Sequence, residues 1–183
     1  MALSATLYHV KLALSDVERG VYEALDLRLA RHPSESLRYL VTRTLAYALS
    51  YEEGIAFSKG GVSSTDEPPV FLRDATGILL AWIEIGAPSA ERLHKASKAA
   101  RRVALFTSAN VAPLREQAEG GAIHRAAELE VWQLEQSHLD AVGERLERNT
   151  ELELVHSAGR LYVTVRGEVL EGGVERAPLL ATP

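Results

Sequence analysis

The sequence contains no cysteine among its 183 residues. This absence excludes disulfide bonds, thiolate nucleophiles, iron–sulfur clusters and cysteine-based zinc sites. Long apolar runs are missing as well, since no stretch approaches the roughly 20 residues that a membrane-spanning helix needs. The first residues, Met1 to Thr6, have neither the basic nor the apolar segment of a secretory signal. We therefore predict a cytoplasmic protein that has no membrane partner.

The composition is that of an ordinary globular protein, with 46% hydrophobic and 25% charged residues. These values exclude disordered and fibrous classes. No repeat or Pro/Gly-rich linker divides the chain, so we predict a single domain over residues 1–183, with residues 172–183 as a disordered tail. The net charge of −5 argues against a broadly basic nucleic-acid-binding surface, although it leaves a local basic site open.

Apolar residues alternate with polar ones in several segments, which is typical of half-buried strands. Two such segments, residues 6–14 and 21–30, predict an N-terminal β-hairpin, and residues 152–165 predict a second hairpin near the C-terminus. Residues 78–85 are almost continuously apolar and predict a central strand that is covered on both faces.

Two other segments have the helical period of apolar residues. The first helix is predicted to begin near Pro33, with Ser34 or His32 as its N-cap, and to end close to Gly54. The second covers residues 90–100 and leads to a short apolar strand, which predicts a right-handed parallel crossover. Together, these segments predict a mixed α/β fold.

One pair of acids is a candidate for chemistry. A hairpin turn centred near residue 75 would place Asp66 opposite Glu84, with Glu67 as the alternative if the register differs by one residue. Facing carboxylates repel each other, and a carboxylate on a buried strand is costly to desolvate. A hard divalent cation such as Mg²⁺ would offset both costs.

Two further features have a structural and a functional interpretation. Glu35 lies in the first turn of the predicted first helix, where an acid compensates the helix dipole, but it is also a third candidate ligand. Residues 91–102 contain five basic residues and one acid. This segment is either a solvated helix face or a local site for the phosphates of a nucleic acid.

Several motifs of the chain resemble landmarks of the YaeQ family of bacterial proteins. They are the start Met-Ala-Leu-x-Ala-Thr and the segments Ala30–Glu35, Asp66-Glu67-Pro68, Trp82–Gly86 and Val103–Thr107. The YaeQ fold is similar to that of the PD-(D/E)XK nucleases, the restriction-endonuclease-like superfamily. The resemblance therefore implies a mixed-sheet restriction-endonuclease-like core, flanked here by the N-terminal and C-terminal hairpins.

The resemblance also implies a set of site residues. Asp66 and Glu84 resemble the first and second metal ligands, and Glu35 resembles the helical acid that joins them around Mg²⁺ or Mn²⁺. The superfamily's lysine is absent, because Gly86 occupies its position, and the resemblance suggests Lys95 as a substitute that reaches back from the second helix. Further expected contacts with nucleic acid are Arg43, Lys59, Arg92 and Lys98.

We draw two functional hypotheses from these observations. The first is a Mg²⁺-dependent phosphodiesterase, or nuclease, that acts on DNA or RNA. The second is a nuclease-fold protein without turnover, which serves as a binding or interaction module. The missing lysine at Gly86 and the acidic net charge favour the second hypothesis.

Overall fold

Ten strands form one continuous, nearly closed sheet in the computed structural model, which describes residues 4–59 and 66–181. The strands are β1 (Thr6–Asp16), β2 (Val21–Arg31), β3 (Ile55–Phe57), β4 (Val70–Arg73), β5 (Leu79–Ile85), β6 (Arg102–Thr107), β7 (Glu130–Leu134), β8 (Asn149–Ser157), β9 (Arg160–Val165) and β10 (Glu168–Pro178). The helices are α1 (Leu37–Leu49), α2 (Ala90–Ala99), α3 (Ala112–Glu119) and α4 (Gln136–Arg145). The order across the sheet is β2-β1-β8-β9-β10-β7-β6-β5-β4-β3. The predicted mixed α/β fold is confirmed. Within the described ranges, each helix is too short or too polar to cross a bilayer.

The two predicted terminal hairpins are present, and they share one sheet. In β1, buried Val10 and Leu12 alternate with more exposed residues, and Val10 faces Leu27 of the antiparallel β2. Strands β8 and β9 form the second hairpin. A parallel pairing of β1 with β8, in which Leu12 faces Leu152, joins the hairpins although they lie at opposite ends of the chain.

The central strand β5 is buried on both faces, as its continuous apolar run predicts. Ile83 and Ile85 belong to the core cluster that contains α1, whereas Trp82 belongs to the cluster that contains α2 and α3. The predicted parallel crossover is also confirmed: β5 pairs in parallel with β6, and β6 with β7. The carboxyl ends of these strands therefore meet the N-termini of α2 and α3.

Helix α1 begins later than predicted. Ser36 is its N-cap, because the Ser36 Oγ atom accepts a hydrogen bond from the backbone N–H of Tyr39 at 3.1 Å. Ser34 and His32 instead hydrogen-bond each other in the preceding turn, at 2.7 Å between Oγ and Nδ1. Glu35 therefore precedes the helix, and its predicted place in the first helical turn is wrong.

The predicted disordered tail is wrong where the structure describes it. Residues 168–178 form β10, which pairs first with β9 and then with β7. Val174 and Leu179 are buried, and the Leu179 backbone N–H donates to the Leu129 carbonyl at 2.8 Å. The apolar residues of β10 are too far apart for the alternation that is typical of a strand to be evident in the sequence. Residues 182–183 lie outside the described part of the chain.

Candidate functional site at the end of strand β5

The structure corrects the predicted pairing of Asp66 with Glu84. Val70 faces Ile83, so the same register continued would place Pro69, rather than Asp66, opposite Glu84. The turn lies further along the chain than predicted, because the Asp74 backbone N–H donates to the Ile78 carbonyl at 3.0 Å. A register shift at the end of β4 adds to the difference. Asp66 therefore lies in the loop before β4, four residues from its start.

Glu84 points from β5 towards α2 and is only 3% exposed. Its Oε2 atom accepts two hydrogen bonds, from Trp82 Nε1 at 2.9 Å and from Arg92 Nε at 2.6 Å. Its Oε1 atom accepts a longer one from the Ile85 backbone N–H at 3.3 Å. The buried carboxylate is therefore stabilised by a guanidinium and by polar groups of its own strand.

Arg92 connects three parts of the site. It lies in the first turn of α2, whose N-cap is Ser89. Besides binding Glu84, its guanidinium donates to the Glu67 backbone carbonyl at 3.0 Å and lies 5.5 Å from the centre of the Trp82 ring. Strand β5, helix α2 and the loop before β4 thus meet at one guanidinium.

Asp66 is bound by Lys95, one helical turn after Arg92. The Lys95 Nζ atom lies 2.6 Å from Asp66 Oδ1; the Lys95 side chain is half-exposed and that of Asp66 is largely exposed. The hydrogen bond and the charge of Lys95 hold the pKa of the Asp66 carboxyl below its ordinary value, and Arg92 acts in the same direction. Both predicted acids therefore border the Arg92–Lys95 face of α2.

Gly86 occupies the position at which the resemblance to the PD-(D/E)XK nucleases implies a lysine. Its backbone has a φ of +85°, a conformation that residues with a side chain rarely adopt. A lysine at this position would strain the chain where it leaves β5. A basic group can reach this corner of the protein without strain from α2, as Lys95 does.

Glu35 forms a buried ion pair on the other side of β5. Its Oε2 atom lies 3.6 Å from an Arg43 guanidinium nitrogen, and both side chains are almost fully buried. Arg43 also donates to the Ala30 carbonyl at 2.8 Å and stacks against the rings of Tyr39 and Phe57. A contact between Arg43 and a nucleic acid, which we expected from the sequence, is therefore incompatible with its burial.

Tyr39 lies between the two pairs. Burial raises the pKa of its phenol well above the ordinary value, and the charges of Glu84 and Glu35 raise it further, against Arg43 and Arg92. The Tyr39 hydroxyl is thus kept neutral and is a weak proton donor.

Lys59 and Lys98 are exposed and so remain accessible to a phosphate backbone. Lys98 lies in the last turn of α2, on the helix that carries Arg92 and Lys95. Lys59 directly precedes residues 60–65, and the glycine-rich part of that loop lies outside the described residues.

The carboxylates near the end of β5 that could serve a hard divalent cation, Asp66 and Glu84, are each already paired with a protein cation. Within residues 4–59 and 66–181, no three acids or histidines lie together as a ready-made metal site. Mg²⁺ often uses only one or two carboxylates and completes its shell with water and substrate phosphate. Glu84 binds Arg92 and Asp66 binds Lys95 on the same helix, whereas Glu35 pairs with Arg43 instead.

The sequence did not reveal two members of this site. Trp82 lies in the apolar run of β5 and is buried, but its indole N–H also binds Glu84. Arg92 was expected at a nucleic acid rather than at Glu84. Spacing could have indicated the Trp82 contact, because Trp82 and Glu84 share one face of a strand. The Arg92 contact joins two different elements, and no spacing in the sequence indicates it.

Comparison with known proteins identifies similar chains over nearly the full length. The sequence model of the family described as "YaeQ protein" matches residues 1–172. The relatives named "Uncharacterized protein YaeQ" from Escherichia coli (strain K12) and Salmonella typhi are each 34% identical over 166 residues. Those alignments cover 90% of this chain and 91% of each relative.

Solved structures with the same name are similar as well. The crystal structure of the YaeQ protein from Pseudomonas syringae is 30% identical in sequence, with a TM-score of 0.85 and 97% coverage of both chains. The YaeQ protein from Xanthomonas axonopodis pv. citri is 28% identical, with a TM-score of 0.83 and coverage of 96% of this chain and 100% of the other. The ten-stranded arrangement is thus shared with both proteins.

Proposed function

Because this chain belongs to the YaeQ family, we propose that it is a divalent-metal-dependent phosphodiesterase that acts on nucleic acid. The reaction class comes from the resemblance of its motifs to those of PD-(D/E)XK nucleases. One observation carries the proposal: the Lys95 amine lies 2.6 Å from the Asp66 carboxylate. A lysine at an acid of the site is the combination that this chemistry needs and that Gly86 cannot supply.

Each residue of the proposed site would have a separate role. Asp66 and Glu84 would hold Mg²⁺ or Mn²⁺, which supplies charge neutralisation and water activation for attack on phosphorus. Lys95 is half-exposed on α2, so its ammonium can move from Asp66 to the negative charge that develops on the phosphate oxygens. In the overall reaction, water adds to phosphorus, the P–O bond to the leaving oxygen breaks, and a proton reaches that oxygen.

Nucleic acid would approach along the exposed side of α2. Lys95 and Lys98 lie one turn apart and are exposed. This local basic face could bind phosphate although the net charge of the protein is negative, because phosphate binding depends on nearby charges more than on the net charge. Lys59, at the edge of the loop before β4, is a further proposed contact.

The test is cleavage of a labelled oligonucleotide, single-stranded and double-stranded, in Mn²⁺ and in EDTA, together with calorimetric titration of Mn²⁺. Asp66→Asn and Glu84→Gln should each abolish metal-dependent cleavage and weaken Mn²⁺ binding more than tenfold. Asp26→Asn is the matched control. Asp26 is an exposed acid on the edge strand β2, and it pairs with His9 of β1. Cleavage that persists in both site variants would contradict the proposal.

A second candidate function has an observation of its own in its favour. Each of the two acids already has a protein cation as its partner, Arg92 at Glu84 and Lys95 at Asp66. A protein with these pairs intact needs no metal, and it would act as a binding module without turnover. Nucleic-acid binding with no Mn²⁺ uptake and no cleavage is the outcome that favours this candidate.

A further inference from the structure

Strand β2 forms one edge of the ten-stranded sheet. Among the described residues, its only neighbour in the sheet is β1. It pairs with β1 over 11 consecutive positions, Val21–Arg31, and this range contains neither a bulge nor a proline. Long, regular edge strands of this kind pair readily with a strand of another chain, and proteins usually interrupt or cover them. The edge of β2 is therefore a candidate interaction surface.

The direction of the backbone groups shows which residues of β2 face this free edge. The His9 N–H of β1 points towards β8 and donates to the Arg148 carbonyl at 2.7 Å. Since successive residues of a strand point to opposite sides, the even-numbered residues of β1 face β2, and the register pairs them with odd-numbered residues of β2. The even-numbered residues of β2 therefore direct their N–H and C=O groups away from β1. The Ala30 carbonyl accordingly accepts a hydrogen bond from the Arg43 side chain at 2.8 Å.

The side chains in the middle of this edge are exposed and carry opposite charges. Asp26 and Arg28 lie on the outer face of β2, where they alternate with buried leucines. The Asp26 side chain is 62% exposed, although its Oδ1 atom binds His9 at 2.6 Å. The Arg28 side chain is exposed and forms no ion pair or hydrogen bond with any described residue. An accessible acid and an unpaired cation thus lie two positions apart on one edge.

One antiparallel register brings these charges together between two copies of the chain. The even-numbered residues of two β2 edges oppose each other only when the two-fold axis passes through a residue. An axis at Leu27 places Asp26 of each copy opposite Arg28 of the other, which is favourable. An axis at Asp26 or at Arg28 opposes that residue with its own copy, and like charges repel. An axis at Leu25 opposes Asp26 with Ala24 and forms no ion pair.

We propose that β2 pairs with β2 of a second copy of the chain, antiparallel and centred on Leu27, so that two sheets join into one. The outer face would then hold the ion pair of Asp26 with Arg28 twice. The same register places the exposed Glu23 opposite Arg31 of the other copy, on the other face of the strand. The charges on the edge repel a copy in the neighbouring registers and so select one pairing. The inference involves none of the residues of the proposed site and does not depend on the proposed phosphodiesterase activity.

The first experiment is sedimentation equilibrium of the full chain at increasing concentration. The weight-average mass should rise from the 20.0 kDa of one chain towards twice that value as the concentration passes through the micromolar range. One pair of strands is a small interface, so the association should be reversible. Added salt should weaken the association, because it screens the exposed ion pairs. A mass that stays at 20.0 kDa at millimolar concentration would overturn the proposal.

Charge reversal tests the register. Asp26→Arg and Arg28→Asp should each stay monomeric, because like charges then face each other across the axis. An equimolar mixture of the two variants should associate about as strongly as the wild type. In the mixed pair, the arginines at positions 26 and 28 of one variant face the aspartates at the same positions of the other. Association of the mixture also shows that both variants are folded.

The matched control is Glu151→Arg. Glu151 is an exposed acid of the same sheet, but its strand β8 is paired on both sides, so the reversal should leave association unchanged. If Asp26→Arg or Arg28→Asp associates as the wild type does, the proposed pairing is refuted. It is also refuted if the mixture of the two associates no better than either variant alone, because a dimer formed through another surface would not respond to this exchange of charges.

Discussion

Two arginines at this end of the sheet show how burial determines what a charged residue can do. Arg43 and Arg92 each pair with a buried glutamate, Glu35 and Glu84 respectively. Arg43 is enclosed on all sides by α1, Phe57 and the end of β2, so it can only stabilise the interior. The side chain of Arg92 is 21% exposed, so Arg92 lies at the surface edge of its pair.

Removal of Arg43 alone should be strongly destabilising. The substitution Arg43→Met leaves Glu35 buried without the charge that faces it, so the free energy of unfolding should fall by about 3–5 kcal/mol. Urea unfolding followed by circular dichroism measures this change. The double variant Glu35→Gln/Arg43→Met should recover a large part of the loss, because it removes both charges.

The control for this prediction is Arg38→Met, one residue after Leu37 in α1. Arg38 pairs with Asp140 in two short hydrogen bonds, but both side chains are 40% exposed. Exposed ion pairs contribute at most about 1 kcal/mol. If Arg38→Met were as destabilising as Arg43→Met, burial would not be the cause.

At the scale of single elements, local sequence determines the type of each element better than its ends. Helix α2 follows its predicted range of residues 90–100 closely, and Ser89 is its N-cap. Helix α1 does not, because the preceding segment His32–Glu35 forms its own turn, with the Glu35 N–H donating to the His32 carbonyl. The sequence predicted Ser34 or His32 as the cap, and the turn shifts the helix start so that Ser36 is the cap instead.

This difference can be measured at the two serines. Ser36→Ala removes the cap that binds the Tyr39 N–H, so the free energy of unfolding should fall by about 1 kcal/mol. Ser34→Ala should change it by less than about 0.5 kcal/mol, since Ser34 bonds only within the exposed turn. Thermal or urea unfolding of the two variants tests the assignment, and the reverse order of effects would refute Ser36 as the cap.

At the scale of the whole molecule, the two ends of the chain are held together by a buried charge cluster. Asp16, at the end of β1, accepts hydrogen bonds from Arg19 at 2.7 Å and pairs with His156 Nδ1 at 3.0 Å. Arg19 also donates to the Ala48 carbonyl in the last turn of α1 and to the Tyr51 carbonyl just after the helix. The cluster thus links β1, β8 and α1 where the parallel β1–β8 pairing ends.

The stability contributed by this cluster should depend on pH. Burial alone would raise the pKa of Asp16, but the hydrogen bonds and charges of Arg19 and His156 outweigh burial and hold it below the ordinary value of 3.8. A carboxyl with a depressed pKa stabilises the fold above its unfolded pKa, and this contribution is lost as the pH falls through the folded pKa.

Urea unfolding of the wild type and of Asp16→Asn measures this contribution. The wild type should be more stable by roughly 2–4 kcal/mol at neutral pH, because the variant leaves buried donors without a charged acceptor. The difference should shrink as the pH falls below 3.8. If the difference in stability were the same at neutral pH and below pH 3.8, the charge of Asp16 would not be its source.

The geometry of the site, like the ends of the helices, was only partly predictable, because both depend on hydrogen bonds that hydrophobic spacing does not reveal. Asp66, Glu84 and Lys95 were selected from motifs, and the structure brings Lys95 to Asp66. The direct pairing of Asp66 with Glu84 is wrong, because hydrogen bonds at Asp74 and Ile78 decide the hairpin register. The backbone hydrogen bonds of Asp74 with Gly77 and Ile78 were not evident from hydrophobic spacing. The single-domain prediction, the cytoplasmic location and the divalent metal stay predictions.

The sequence by itself determined the mixed α/β class, both terminal hairpins, the buried strand β5 and its parallel crossover, because those features depend on the period of apolar residues over short segments. Only the tertiary structure decided that β1 pairs with β8, that residues 172–178 belong to β10, and that Arg92 binds Glu84. These are contacts between residues distant in the chain or on different elements. Their free energy comes from burial and charge pairing in three dimensions, which no local pattern encodes.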